Sequence, residues 1–118
     1  MTTEIGKELR KLRIDRDERL LDMSGRLDKS SAFISAVERG TKTPPSGFEE
    51  LVIKAYQLAG DAAAAMRRAA DRSRKAFTVE AQSALARDTA GLMARRMNSL
   101  SDDDLKSIFE ILSKKDKQ

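Results

Sequence analysis

Apolar residues in this chain recur at three- and four-residue spacings in short runs, and each run is closed by residues that end a helix. A half-buried strand needs period two, so the pattern confines the chain to packed helices. Ile5, Leu9 and Leu12 share one face of a first helix that starts at Thr2 or Thr3. Leu20, Met23 and Leu27 repeat the spacing in a short second helix, and Asp28-Lys29-Ser30 makes a turn. Ser31 to Arg39 reads as a third helix, with Ser30 as its N-cap and Gly40 just past its end. Thr43-Pro44-Pro45 cannot continue it, because proline lacks the N–H and clashes with the preceding turn.

Ser46 to Glu49 has capping-box spacing and opens a fourth helix bearing Phe48, Leu51, Val52, Ala55 and Leu58. Gly60 is expected to stop that helix and Asp61 to cap an alanine-rich fifth one, Ala62 to Arg74. Phe77 to Ala81 alternates apolar and polar, which suits either a short strand or an extended linker. Leu85, Thr89, Leu92, Met93 and Leu100 mark a sixth helix. Ser101-Asp102-Asp103-Asp104 is a second capping-box-like start, with acids at the positive helix end. Leu105, Ile108, Phe109 and Leu112 follow as one stripe, and Lys114 to Gln118 reads as a frayed tail. With four Phe, one Tyr and no Trp, the core must be mostly aliphatic, which also suits an all-α fold.

Several kinds of chemistry are excluded or disfavoured. The chain has no Cys and no His, so disulfides, the usual zinc sites and Ser–His or Cys–His nucleophiles are absent. Asp102 to Asp104 point in different directions around a helix start, so the dipole explains them better than a metal. No glycine-rich phosphate loop occurs. The expectation is therefore a protein that is not an enzyme and carries no cofactor, metal or small-molecule substrate. No apolar run approaches the roughly 20 residues needed to cross a bilayer. Met1-Thr2-Thr3-Glu4 does not resemble a secretory signal, so a cytoplasmic protein without membrane contact is expected. Residues 1–76 carry 16 Lys/Arg against 12 Asp/Glu, a net +4, whereas 77–118 carry 7 of each. The basic excess in the first part hints at a polyanionic partner there, although a solvated charged surface has the same composition.

The third helix narrows the choice. At 100° per residue, Ser31, Ala32, Ser35, Ala36 and Arg39 fall on one face, with Phe33, Ile34 and Val37 on the other. The first face has no bulky apolar residue, as a helix entering a DNA major groove requires. On the wheel alone, an ordinary solvent face fits equally well.

The run from Leu9 to Gly40 resembles the lambda-repressor-like, or XRE-type, helix-turn-helix regulators. The resemblance is carried by Leu9-Arg10-Lys11-Leu12-Arg13, by Asp22-Met23-Ser24 with Leu27, and by Ser30 through Gly40. It implies an all-α bundle of about five helices that covers about residues 3–75, within a DNA-binding domain of residues 1–76; the apolar stripes beyond it are read separately as a C-terminal helical hairpin in a self-association segment, 77–118. It also implies a sequence-specific transcription regulator, most simply a repressor, that binds double-stranded DNA as a homodimer at a pseudo-palindromic operator. By position, Arg13 and Glu38 match a partly buried ion pair between the first and third helices. Ser31, Ala32 and Ala36 match positions that face bases; Ser30, Arg39 and Lys42 match positions near phosphates.

The chain departs from the family in three places, one of them mild: small Ser24 replaces the usual Ala and still allows close helix packing. Leu20 stands where relatives usually carry a phosphate-contacting Gln, and Asp28-Lys29 replaces a Gly-apolar turn. Lys29 becomes an added candidate for the DNA backbone, and Ser35 offers a further hydroxyl. Base-reading chemistry is thin, so specificity is expected to lean on Arg39, bridging waters and DNA shape. Phe33 is assigned to packing. Two surplus apolar stripes, one of Leu105, Ile108, Phe109 and Leu112 and one of Leu85, Leu92 and Met93, are assigned to a dimer contact over residues 83–113 that uses Leu92, Leu105, Ile108, Phe109 and Leu112. An antitoxin that also binds a toxin, or an adaptor that keeps the fold without binding DNA, are the alternatives.

Overall fold

The computed structural model describes residues 2–115, and every regular element among them is helical. In chain order these are α1 (Glu4–Asp15), α2 (Leu20–Leu27), α3 (Ser31–Arg39), α4 (Phe48–Tyr56), α5 (Gly60–Arg72) and α6 (Ala84–Arg96). A 3-10 turn, Met97–Ser99, and α7 (Asp102–Lys115) complete the series. The chain divides into two units, residues 1–77 and 78–118. The proposed fraying of the last residues falls largely outside the described chain, since α7 runs unbroken to Lys115.

In the first unit α1 packs on α3 and α5, α4 on α5, and α2 on both α3 and α4. Ile5 and Leu9 of α1 meet Met23 and Leu27 of α2, Ile34 and Val37 of α3, Val52 and Tyr56 of α4, and Ala70 of α5, all essentially inaccessible. Each aliphatic side chain sequestered in this way contributes on the order of 1.5–3 kcal/mol.

The caps follow local chemistry. Thr3 Oγ1 accepts the Gly6 N–H at 3.1 Å, and Ser30 Oγ accepts the Phe33 N–H at 3.0 Å. Asp28 ends α2 with φ 54° and Gly40 ends α3 with φ 82°, both in the left-handed region. Two expected punctuation points move. Ser46 does not cap α4; Gly47 holds that position, and the Phe48 N–H bonds to the Pro45 carbonyl at 3.0 Å. The Glu49 carboxylate that would have closed the box is drawn to Arg74 instead. Gly60 does not stop α4, which ends at Tyr56 with Gln57 left-handed; Gly60 opens α5, and Asp61 lies in its first turn.

The start of α1 sits against the end of α3. The Thr3 N–H donates to the Glu38 carbonyl at 2.9 Å, and a Cβ on Gly6 would lie 2.5 Å from that same carbonyl oxygen. Gly6→Ala therefore has to push two backbones apart, at a cost of about 1–3 kcal/mol. A lower urea midpoint at unchanged m-value is the expected reading.

Residues 77–82, at the junction of the two units, form neither strand nor helix, which settles that segment as a linker. Ser83 caps α6 through the Ala86 N–H at 3.0 Å. Ser101 and Asp104 form a reciprocal box, Asp104 N–H to Ser101 Oγ at 3.1 Å and Ser101 N–H to Asp104 Oδ2 at 3.4 Å. The expected hairpin is realised only as two successive helices. α6 and α7 are not among the closely packed helix pairs, and no residue from 78 to 114 is buried.

Candidate functional site

Ile34, Val37 and Glu38 of α3 are buried, and Phe33 packs partly against the core. The opposite face leaves Ala32 and Arg39 exposed, with Ser31, Ser35 and Ala36 half-buried between them. The predicted residues thus lie together on one short helix and its flanks, with Lys29 and Ser30 exposed before it and Lys42 exposed after it. Three of their polar groups are already engaged. Ser30 Oγ is an acceptor for the helix cap, which leaves its hydroxyl hydrogen to donate. The Arg39 guanidinium donates to Ser35 Oγ one turn back, laying its charge along the exposed face. The Ala36 carbonyl accepts from the Thr41 N–H at 3.0 Å and the Lys42 N–H at 3.2 Å, fixing where Lys42 leaves the helix.

Phe33 gives the basic rim an unexpected order. Lys29 Nζ lies 5.7 Å and Lys42 Nζ 5.6 Å from the centroid of its ring. The ring is held edge-on to Phe48 at 5.7 Å. Two ammonium groups on either flank of α3 are therefore steadied by one aromatic side chain, each by a contact worth about 0.5–1 kcal/mol at an exposed site. Ser24 Oγ donates to the Lys29 carbonyl and closes the turn between α2 and α3.

The inner side of α3 is tied to α1. Arg13 donates through Nη1 to Glu38 Oε2 and through Nη2 to Oε1 at 3.2 Å. The two side chains are only 13% and 6% exposed, so this is a desolvated fork rather than a surface pair. Arg10 Nε approaches the same carboxylate at 3.9 Å from a solvated position.

A second polar cluster was not anticipated. Tyr56, fully buried at the end of α4, donates its hydroxyl to Glu18 Oε1 at 2.8 Å, and Arg26 donates to Glu18 Oε2. Guanidinium carbons of Arg26 and Arg16 lie 4.6 and 5.2 Å from the Tyr56 ring centroid, and Arg16 Nη2 donates to the Tyr56 carbonyl at 2.9 Å. Four residues from the α1–α2 connection, α2 and α4 thereby meet over one ring. A sole tyrosine in an apolar run was the only trace of this in the sequence. Arg74 plays a similar part at the other end: it bonds the Pro44 and Pro45 carbonyls at 3.0 and 2.6 Å and forks onto Glu49.

Burial, with the Glu18 carboxylate beside it, pushes the Tyr56 phenol up to about 12. The fold favours the protonated phenol. Its contribution is therefore complete below the unfolded value near pH 10 and is lost as pH rises through about 12. Because the chain has one tyrosine, absorbance at alkaline pH reads this group alone. It should ionise near 12 in the folded protein; a midpoint near 10 without unfolding would contradict the buried hydrogen bond.

The residues assigned to self-association are accessible: Leu92 is 49% exposed, Phe109 68% and Leu112 60%, with Leu105 and Ile108 partly covered. No described helix is long and apolar enough to cross a membrane. Among the described residues no acidic group of three or more is arranged to hold a metal ion. In comparisons with protein-family models, curated proteins and solved structures, none matches this chain.

Proposed function

We propose that this chain is a sequence-specific DNA-binding regulator of transcription, acting as a repressor, with α1 to α5 in a lambda-repressor-like arrangement and α3 in the major groove. One observation carries the reading. α3 exposes a face of alanine and serine, free of bulky side chains, and is bordered by Lys29, Arg39 and Lys42. Small residues let a helix backbone approach base edges, and the rim cations meet phosphates.

The regulator works as a homodimer through residues 83–113. Helices of 13 and 14 residues are marginal in water unless an apolar face is covered, and α6 has no buried residue. Residues 77–118 as a whole carry no net charge, so two copies do not repel. A two-fold dimer would place its recognition helices about 34 Å apart, or a multiple of that. The same exposed side chains are what favours a second reading, an antitoxin whose C-terminal helices grip a toxin.

Selection from a random DNA pool followed by salt-dependent titration tests binding and yields the site. Arg39→Ala and Lys42→Ala should each weaken all sequences similarly and reduce the salt slope by about 1. Unchanged affinity and slope in both would remove these two residues from the interface. In sedimentation equilibrium the full chain should be dimeric at micromolar concentration and Phe109→Glu monomeric; a monomeric parent chain defeats the dimer.

A further inference from the structure

The C-terminal half of α1 and the start of α5 leave an open groove of about 310 Å³ between them. Leu12, Leu58, Ala65 and Met66 form its floor. Positions 8, 11, 12 and 15 share one face of α1, and 62, 65 and 66 share one face of α5, so the groove has an apolar floor with charged side chains along its α1 side. It stays open because Ala62 and Ala65 carry only methyl groups where larger side chains would fill it. Its rim is acidic. Lys11 lies 3.6 Å from Glu8 and offsets that carboxylate, which leaves Asp15 and Asp61, both exposed, to set the local charge. A negative trough is conspicuous on a chain whose net charge is +4. No residue of α2, of the Asp28–Ser30 turn or of α3 lines it, so an occupant would leave the exposed face of α3 free.

We propose that this groove is a docking site for a helical segment of another protein, one that presents leucine-like side chains one turn apart flanked by Lys or Arg. The trough is too small to engulf a helix, so only one face of the segment is seated, with its aliphatic side chains on Leu12, Leu58, Ala65 and Met66. The cations of the segment then reach Asp15 and Asp61 at the rim, where solvent and salt have access. The apolar floor supplies the attraction, and the carboxylates select a basic segment and reject an acidic one.

The test is a heteronuclear NMR titration of the full chain with a synthetic amphipathic peptide of Leu, Ala and Arg. The peptide carries Leu at i and i+4, and a twin has Glu in place of every Arg. The expected result is a set of saturating shifts centred on Leu12, Ala62, Ala65 and Met66, with α3 resonances unmoved. The Glu twin, and the Asp15→Lys/Asp61→Lys variant with the Arg peptide, should each bind about tenfold more weakly or worse. Ala62→Phe, at an exposed position, fills the trough without changing its charge and should abolish the shifts. Equal binding of the two peptides, undiminished binding to Ala62→Phe, shifts centred elsewhere, or no shift at millimolar peptide would each overturn the proposal. None of these outcomes depends on DNA binding.

Discussion

Glu38→Ala should melt well below the parent chain, before any base contact is at issue. Glu38 is buried on the inner face of α3, where its carboxylate accepts from both terminal nitrogens of Arg13. Removing it strands a guanidinium that is 13% exposed, and breaking a buried pair from one side costs about 3–5 kcal/mol. The residual solvent edge at Arg13 argues for the lower end. At roughly 4–8 °C per kcal/mol for a unit of this size, the fall should exceed about 10 °C. The reverse construction separates the pair from its desolvation: Arg13→Met with Glu38→Leu removes both charges and should recover much of the loss. A parental melting temperature for Glu38→Ala would mean that the fork contributes nothing.

Tyr56→Ala should be of the same size for a different reason. The ring is fully buried, and truncating a buried aromatic to alanine costs about 3–5 kcal/mol. The cluster around it fails with it. Glu18 loses the phenol hydrogen bond and keeps only Arg26, while the guanidinia of Arg16 and Arg26 lose the face they lie on. Tyr56→Phe isolates the hydroxyl and should cost only about 1 kcal/mol. Chemical denaturation of both variants gives the split; equal losses would place the whole effect in the hydrogen bond and none in packing.

The cluster also sets an acid limit. Burial raises the Glu18 carboxyl, but hydrogen bonds from Arg26 and Tyr56 outweigh it and hold the group below its ordinary value of 4.5. Glu49 is held down likewise by Arg74. Their contribution is present above the unfolded value and is lost as pH falls through the folded ones.

Helix spacing in the sequence located every helix, because the period of apolar residues reports which face must leave water whatever covers it. Caps that rest on groups a few residues apart were equally legible. Ser30 and Gly40 bound α3, Ser101 and Asp104 close their box, and Asp28 takes the left-handed turn. The exposed face of α3 followed from the same periodicity. Tertiary structure decided the rest. Ser46 lost its box to Gly47 because Glu49 found Arg74, a partner 25 residues away. Gly60 did not end α4, since Gln57 turned left-handed first, beside a Tyr56 carbonyl that Arg16 takes up. Five residues of alternation at Phe77–Ala81 made no strand, because the described residues offer no neighbouring strand to take the backbone hydrogen bonds. Residues near in sequence meet by helix geometry alone. The Tyr56 cluster depends on how α2 and α4 meet beside the end of α1, and the acidic trough on how α1 and α5 cross; both are fixed only when the whole core packs.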